Sequence, residues 1–166
     1  MVWVKLKTKA IIVDLDGCFS NLDHRKHLVE NLEEGQEKNW PLFYRGLIKD
    51  KPNAWCVDLI SGMYLRNIIP LYVTSRSEAY RQITLDWFHL NFDSAIGVFS
   101  KKYVNAHLYM RPTKDRSDDF MVKQKIYEEQ IKNTYEIVFA IDDRKRICDM
   151  WRGLGLTCLA CAEGNF

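Results

Sequence analysis

An α/β fold on a mostly parallel, five-stranded central sheet is what the sequence predicts, from three observations. Short apolar runs rich in β-branched residues recur along the chain, and segments of helical period separate them. No repeat, low-complexity tract or Pro/Gly linker divides the 166 residues, a length that suits one domain with a real core.

The first predicted strand, Ala10 to Asp14, is a hydrophobic run ending in a carboxylate. A stretch from Cys18 to about Lys51 follows, too long for an ordinary strand-to-helix loop and rich in charge and aromatics, including His24, Arg25, His27, Trp40, Phe43 and Tyr44. Loops of that length usually bind or cover something, so a small inserted cap after the first strand is expected at about 18–51. Further strands are expected at Pro70 to Thr74, His107 to Arg111, Glu136 to Ile141 and Leu156 to Ala160, with a possible extra one at Val2 to Lys7. Between them, Ile83, Trp87 and Leu90 fall at i, i+4, i+7, and Ile147, Met150, Trp151 and Leu154 at i, i+3, i+4, i+7. Each set gives a helix one apolar stripe to lay on the sheet, and Gly153 and Gly155 mark the end of the second.

Composition excludes several classes. A formal charge of +2 is too small to advertise nucleic acid, so a partner has to be read from a site. No apolar run approaches the roughly 20 residues that cross a bilayer, and Met1 to Lys5 lacks a secretory core. No membrane association is expected, no protein partner can be inferred, and the expected location is the cytoplasm. Five cysteines at irregular spacing, Cys18, Cys56, Cys148, Cys158 and Cys161, suit a reducing compartment better than a disulfide framework. Cys158 and Cys161 form a C-x-x-C inside an apolar run, without a second pair or a following histidine, so burial is expected and zinc is not.

Chemistry concentrates at Asp14-Leu15-Asp16-Gly17. A buried strand holds a carboxylate rigidly at its end, i, i+2 spacing aims two aspartates to one side, and glycine lets the backbone pass close to a ligand. In an open α/β sheet the ligand sits beyond the carboxyl ends of the strands. The residues there form a coherent set: Asp14 and Asp16, then Thr74, Ser75 and Arg76, then Asp142 and Asp143, with Lys123 on the helix preceding that last strand. Four carboxylates at one edge repel unless a cation neutralises them, and an all-oxygen site suits a hard divalent ion such as Mg²⁺.

Asp14-Leu15-Asp16-Gly17, Thr74, Lys123 and Asp142-Asp143 stand in the order of the four motifs of haloacid dehalogenase-like phosphatases. Thr74-Ser75-Arg76, Met110-Arg111-Pro112, the Asp119/Lys123 pair and Ile141 through Arg152 resemble more closely the 3′-phosphatase domain of polynucleotide kinase-phosphatases and its stand-alone relatives. The ending Glu163-Gly164-Asn165-Phe166 is similar to the family's Gly-Asp-Phe terminus. The resemblance spans nearly the whole chain and implies a Rossmann-like three-layer sandwich, although Phe92 to Ala106 is longer than usual. Cys18 stands where the family usually has threonine. No G-x-x-x-x-G-K-[ST] stretch is present to cradle ATP, so kinase activity is not expected of this chain.

The resemblance implies an Mg²⁺-dependent phosphomonoesterase in which Asp14 attacks phosphorus and Asp16 acts first as acid and then as base. Thr74 and Ser75 would bind the phosphoryl group, Lys123 would offset its charge, and Asp119, one turn earlier, would orient Lys123. Only the family spacing favours Lys123 over Lys125. Asp14, Asp142 and Asp143, with the main-chain carbonyl of Asp16, would hold the metal. Arg25 and Arg76 match arginines placed near the active site in the polynucleotide phosphatases, where guanidinium forks suit phosphate oxygens. Trp40, Phe43, Tyr44 and Tyr103 could stack on a base or simply fill a core, and His24 and His27 would shape the entrance. The expected substrate is therefore a 3′-phosphorylated DNA or RNA end. A (deoxy)nucleoside 5′-monophosphate is the alternative, and a silent binding module a third reading that intact Asp14 and Asp16 disfavour.

Overall fold

The computed structural model describes residues 7–30, 32–92 and 97–162. Five strands form one parallel sheet: β1 (Thr8–Val13), β4 (Ile69–Ser77), β5 (Leu108–Arg111), β6 (Tyr135–Asp142) and β7 (Cys158–Ala160), in the order β5-β4-β1-β6-β7. The small strands β2 (Ser20–Asn21) and β3 (Lys51–Pro52) pair antiparallel beside it. The predicted extra strand falls almost wholly outside the described residues, and Lys7 is not in a strand.

Alternation along β1 builds both halves of the core. Ile11 and Val13 face one cluster, with α3 (Ala54–Leu65), α4 (Arg81–Asn91) and α5 (Lys101–His107), while Ala10 and Ile12 face α6 (Asp119–Ile126) and α7 (Lys145–Gly153) on the other side. The product is a three-layer α/β/α sandwich. On β6, Ala10 pairs with Ile137 but Ile11 pairs with Phe139, so Val138 is an extra residue that bulges out to solvent while its neighbours keep to opposite cores.

The α7 stripe packs as expected, and the helix ends in a Schellman turn: Gly155 N–H donates to Arg152 O and Leu156 N–H to Trp151 O, with Gly155 at φ +81°. On α4 the expected stripe needs correction. Trp87 is buried and Ile83 partly so, but Leu90 is 64% exposed, and the inward face runs through Thr84, Leu85 and Phe88. Aromatic packing rotated the buried arc: Phe19 alone contacts the rings of Tyr72, Trp87, Phe88, Phe92 and Phe99.

Residues 22–50 sit between β2 and β3 and carry α1 (Asp23–Lys26), α2 (Trp40–Gly46) and a 3₁₀ turn at Leu47–Lys49. Leu22, Val29 and Phe43 give this segment a small apolar cluster of its own. No described helix is long and apolar enough to cross a membrane.

The reading of the cysteines as suited to a reducing compartment, with Cys161 buried as a small apolar residue, is corrected at one pair: Cys18 and Cys161 form a disulfide across 143 residues of sequence, and Cys161 is only half-buried. Spacing could not reveal it, since strand order alone brings the loop after β1 to the end of β7. Cys56, Cys148 and Cys158 are free and buried, as expected of small apolar residues.

Candidate active site

The chain runs outward from β1 through β4 to β5 and then returns to β6 on β1's other side, so β1 and β6 flank the point where strand order reverses. Asp14 follows β1 and Asp142 ends β6. The loop after Asp14 is cinched by main-chain bonds from Phe19 N to Asp14 O, Ser20 N to Leu15 O and Gly17 N to Ser20 O, while Asp14 N donates to Ile141 O. Gly17 (φ +93°) is required here: a Cβ would meet Asp143 Oδ2 at 2.1 Å.

A cleft of about 250 Å³ opens over these strand ends, and its lining includes Asp14, Asp16, Thr74, Ser75, Arg76, Asp119, Lys123 and Asp143. Lys123 is buried and donates to Asp14 Oδ1 and Asp142 Oδ2, each at 2.6 Å. Burial works against its charge, yet these two carboxylates raise its pKa above the ordinary lysine value. Lys125, two residues on, is exposed. Burial pushes the Asp14 carboxyl well up, against the pull of Lys123, and burial followed by the charge of Asp142 pushes Asp143 up to about 6.

Oxygens of Asp14, Asp142 and Asp143 lie within 4.8 Å of one another, and Asp143 Oδ1 is buried with no hydrogen-bond partner. Crowded, desolvated carboxylates with an orphaned acceptor are a donor set suited to a hard cation. Asp16 differs. Its carboxylate accepts from Arg76 Nε (2.7 Å) and Nη2 (2.8 Å) and from Arg25 Nη2 (2.7 Å), outside that cluster. Burial alone would raise its pKa, but Arg76 and then Arg25 hold it far below the usual carboxylate range.

Other predicted site residues divide. Thr74 and Ser75 line the cleft; Thr74 Oγ1 accepts from Arg76 N, and Ser75 Oγ is buried without a partner. Arg25 lies behind Asp16 and off the cleft wall, since its fork is taken by Asp50 (Nε to Oδ1, 2.7 Å; Nη2 to Oδ2, 2.5 Å) as well as Asp16. Asp119 does not pair with Lys123. Arg144 Nη1 and Arg146 Nη2 reach it at 2.6 Å each, and, against burial, they lower its pKa. The expected i, i+4 pair fails because Lys123 turns inward to the strand ends. His24 contacts Asp50 at 2.9 Å, His27 is exposed, and neither lines the cleft. Trp40, Phe43 and Tyr44 line it, Phe43 with its side chain almost wholly buried, whereas Tyr103 packs away from it against His107.

Sequence reasoning missed Asp50, Arg144 and Arg146. The last two follow Asp142-Asp143 directly, and a basic run at a strand end beside carboxylates was the available signal. Nothing in the spacing pointed to Asp50, which ends the insert, is buried, and takes Arg25 and His24 with its carboxylate while its carbonyl accepts from Trp87 Nε1.

A parallel three-layer sheet with these strand-end residues defines a haloacid dehalogenase-type phosphatase. Residues 8–166 match the family described as the polynucleotide kinase PNKP phosphatase domain, and the chain belongs to that family. It is similar to a chain in the structure of the Pnkp1/Rnl/Hen1 RNA repair complex (26% identity, TM-score 0.72), covering 96% of this chain and 44% of that one. It also resembles the class C acid phosphatase of Bacillus anthracis in fold (14% identity, TM-score 0.62, covering 98% and 70%). Over 99 residues it is 28% identical to the "Putative bifunctional polynucleotide kinase/RNA ligase" of Autographa californica nuclear polyhedrosis virus, covering 60% of this chain and 13% of that protein. The chain thus spans less than half of that repair-complex chain and about an eighth of the viral protein.

Proposed function

We propose that this phosphatase removes 3′-phosphates from DNA or RNA ends, using an aspartyl-phosphate on Asp14 and a bound Mg²⁺. The observation that carries the chemistry is Asp14 on the cleft floor, with Lys123 at 2.6 Å and unpartnered Ser75 Oγ and Asp143 Oδ1 in the same wall. Asp14 attacks phosphorus, the P–O bond to the sugar breaks, and water then cleaves the acyl phosphate to free Asp14 and release inorganic phosphate. Thr74, Ser75 and Lys123 receive the phosphoryl oxygens. Asp14, Asp142 and Asp143, with the main-chain carbonyl of Asp16, would hold Mg²⁺, which would supply charge neutralisation when bound.

Asp16 protonates the leaving 3′-oxygen and takes a proton from the attacking water. Its two arginines favour the ionised form, which serves the water step directly. For the first step, the substrate's phosphate competes for Arg76 on the cleft wall, weakening the hold on Asp16 and letting it carry a proton. Family membership and the RNA repair-complex likeness support the polynucleotide substrate.

Hydrolysis of an aryl phosphate should require Mg²⁺ and cease in EDTA, and Asp14→Asn should lower kcat by at least ~10³-fold with the fold retained. Turnover undiminished in EDTA would remove the metal from the reading. In parallel phosphate-release assays at fixed salt, a 3′-phosphorylated oligonucleotide should show higher kcat/KM than its 5′-phosphorylated isomer or a deoxynucleoside 5′-monophosphate. Preference for the monophosphate would make the protein a nucleotidase instead.

A further inference from the structure

We infer that Trp40 is a stacking platform for the base of the terminal nucleotide, a site that rests on the polynucleotide reading and deepens it. Trp40 opens α2, whose first turn is secured by Asn39 Oδ1 accepting from Leu42 N and by Pro41 beside it. It lines the cleft and is still 42% exposed, so part of a large apolar side chain is left open beside the proposed phosphate site. Behind it the rings form a ladder: Trp40 stacks on Tyr44 (centroids 5.8 Å, 23°), and Tyr44 stacks on Tyr80 (4.3 Å, 25°). Tyr80 belongs to the turn following β4, so the ladder ties the insert to the loop downstream of Thr74 and Arg76 and holds the indole in place before substrate arrives.

The cleft is smaller than the roughly 300–1,000 Å³ that encloses a whole drug-sized ligand. A phosphorylated end enters, and the attached nucleoside passes the cleft lining that includes Trp40 and Lys38. Base–aromatic stacking tolerates any base because each has a π-face, as a general end-processing site needs. Lys38 Nζ lies 5.7 Å from the Trp40 ring centroid, putting positive charge where the strand would run. Phe43, the neighbouring aromatic, is buried under Arg25 and offers no open ring.

The test compares kcat/KM for a 3′-phosphorylated oligonucleotide carrying a normal terminal base with the same strand ending in a stable abasic analogue. In the wild type the base-bearing end is expected to be favoured by roughly 5- to 150-fold, through KM. That ratio should collapse towards one in Trp40→Ala and be largely restored in Trp40→Phe. A ratio of one in the wild type, or one that Trp40→Ala leaves intact, overturns the platform; so does an equal loss on both ends, which marks a structural role. A wild type that hydrolyses an aryl phosphate but neither oligonucleotide overturns the polynucleotide reading, and the platform with it.

Discussion

Asp16 is held by two buried guanidinium groups, and Asp50 holds Arg25 from the other side, so removing one member leaves charge without a partner. Because the Asp16 carboxyl titrates lower in the folded chain than in the unfolded one, its ion pairs add stability that is fully present above about pH 4 and is lost as pH falls below it. Asp16→Asn is expected to cost ~3 kcal/mol at pH 7, with the difference from wild type shrinking in melts below pH 4. A constant difference from pH 7 to pH 3 would contradict that origin. Gly17 is constrained as tightly: Gly17→Ala places a methyl on Asp143 in a left-handed conformation, so activity should fall at least ~10²-fold and the Mg²⁺ needed for half-maximal rate should rise. A normal metal requirement in that variant would show that Asp143 tolerates displacement.

Short elements carry the site, and covalent and hydrogen-bonded ties set their positions. Cys18 lies two residues after Asp16, while Cys161 donates its N–H to Asp142 O; the disulfide therefore joins the two segments that present the carboxylates. Loop entropy for a 143-residue separation suggests a stabilisation on the order of 5 kcal/mol, with 2–4 kcal/mol the common outcome. Reduction, or Cys18→Ser, should thus lower Tm by several degrees in a thermal melt; an unchanged Tm under reductant would mean that packing alone secures this junction. The β2/β3 pair does similar work at the insert's base, bringing Asn53 Nδ2 to Cys18 O at 2.7 Å.

At the scale of the whole molecule, two cores clamp one sheet, and Phe19 links the larger core to the site: its ring sits among five aromatic partners while its N–H bonds Asp14 O. Phe19→Ala should cost about 3–5 kcal/mol and depress turnover together with stability, measurable by urea denaturation alongside aryl phosphate hydrolysis. The strand positions and the carboxylates at their ends were legible because local pattern specifies them: β-branched runs make strands, and Asp14, Asp16, Asp142 and Asp143 stand at strand ends where a parallel sheet binds ligand. Lys123 could be separated from Lys125 only by family spacing, because both are lysines on one helix and only packing against β1 and β6 decides which is buried. Partner choice was wholly tertiary. That Asp119 takes Arg144 and Arg146, that Arg25 turns to Asp50 and that Cys18 meets Cys161 depends on strand order, which brings residues distant in sequence to bonding distance, and pairwise spacing along a chain carries no record of that approach.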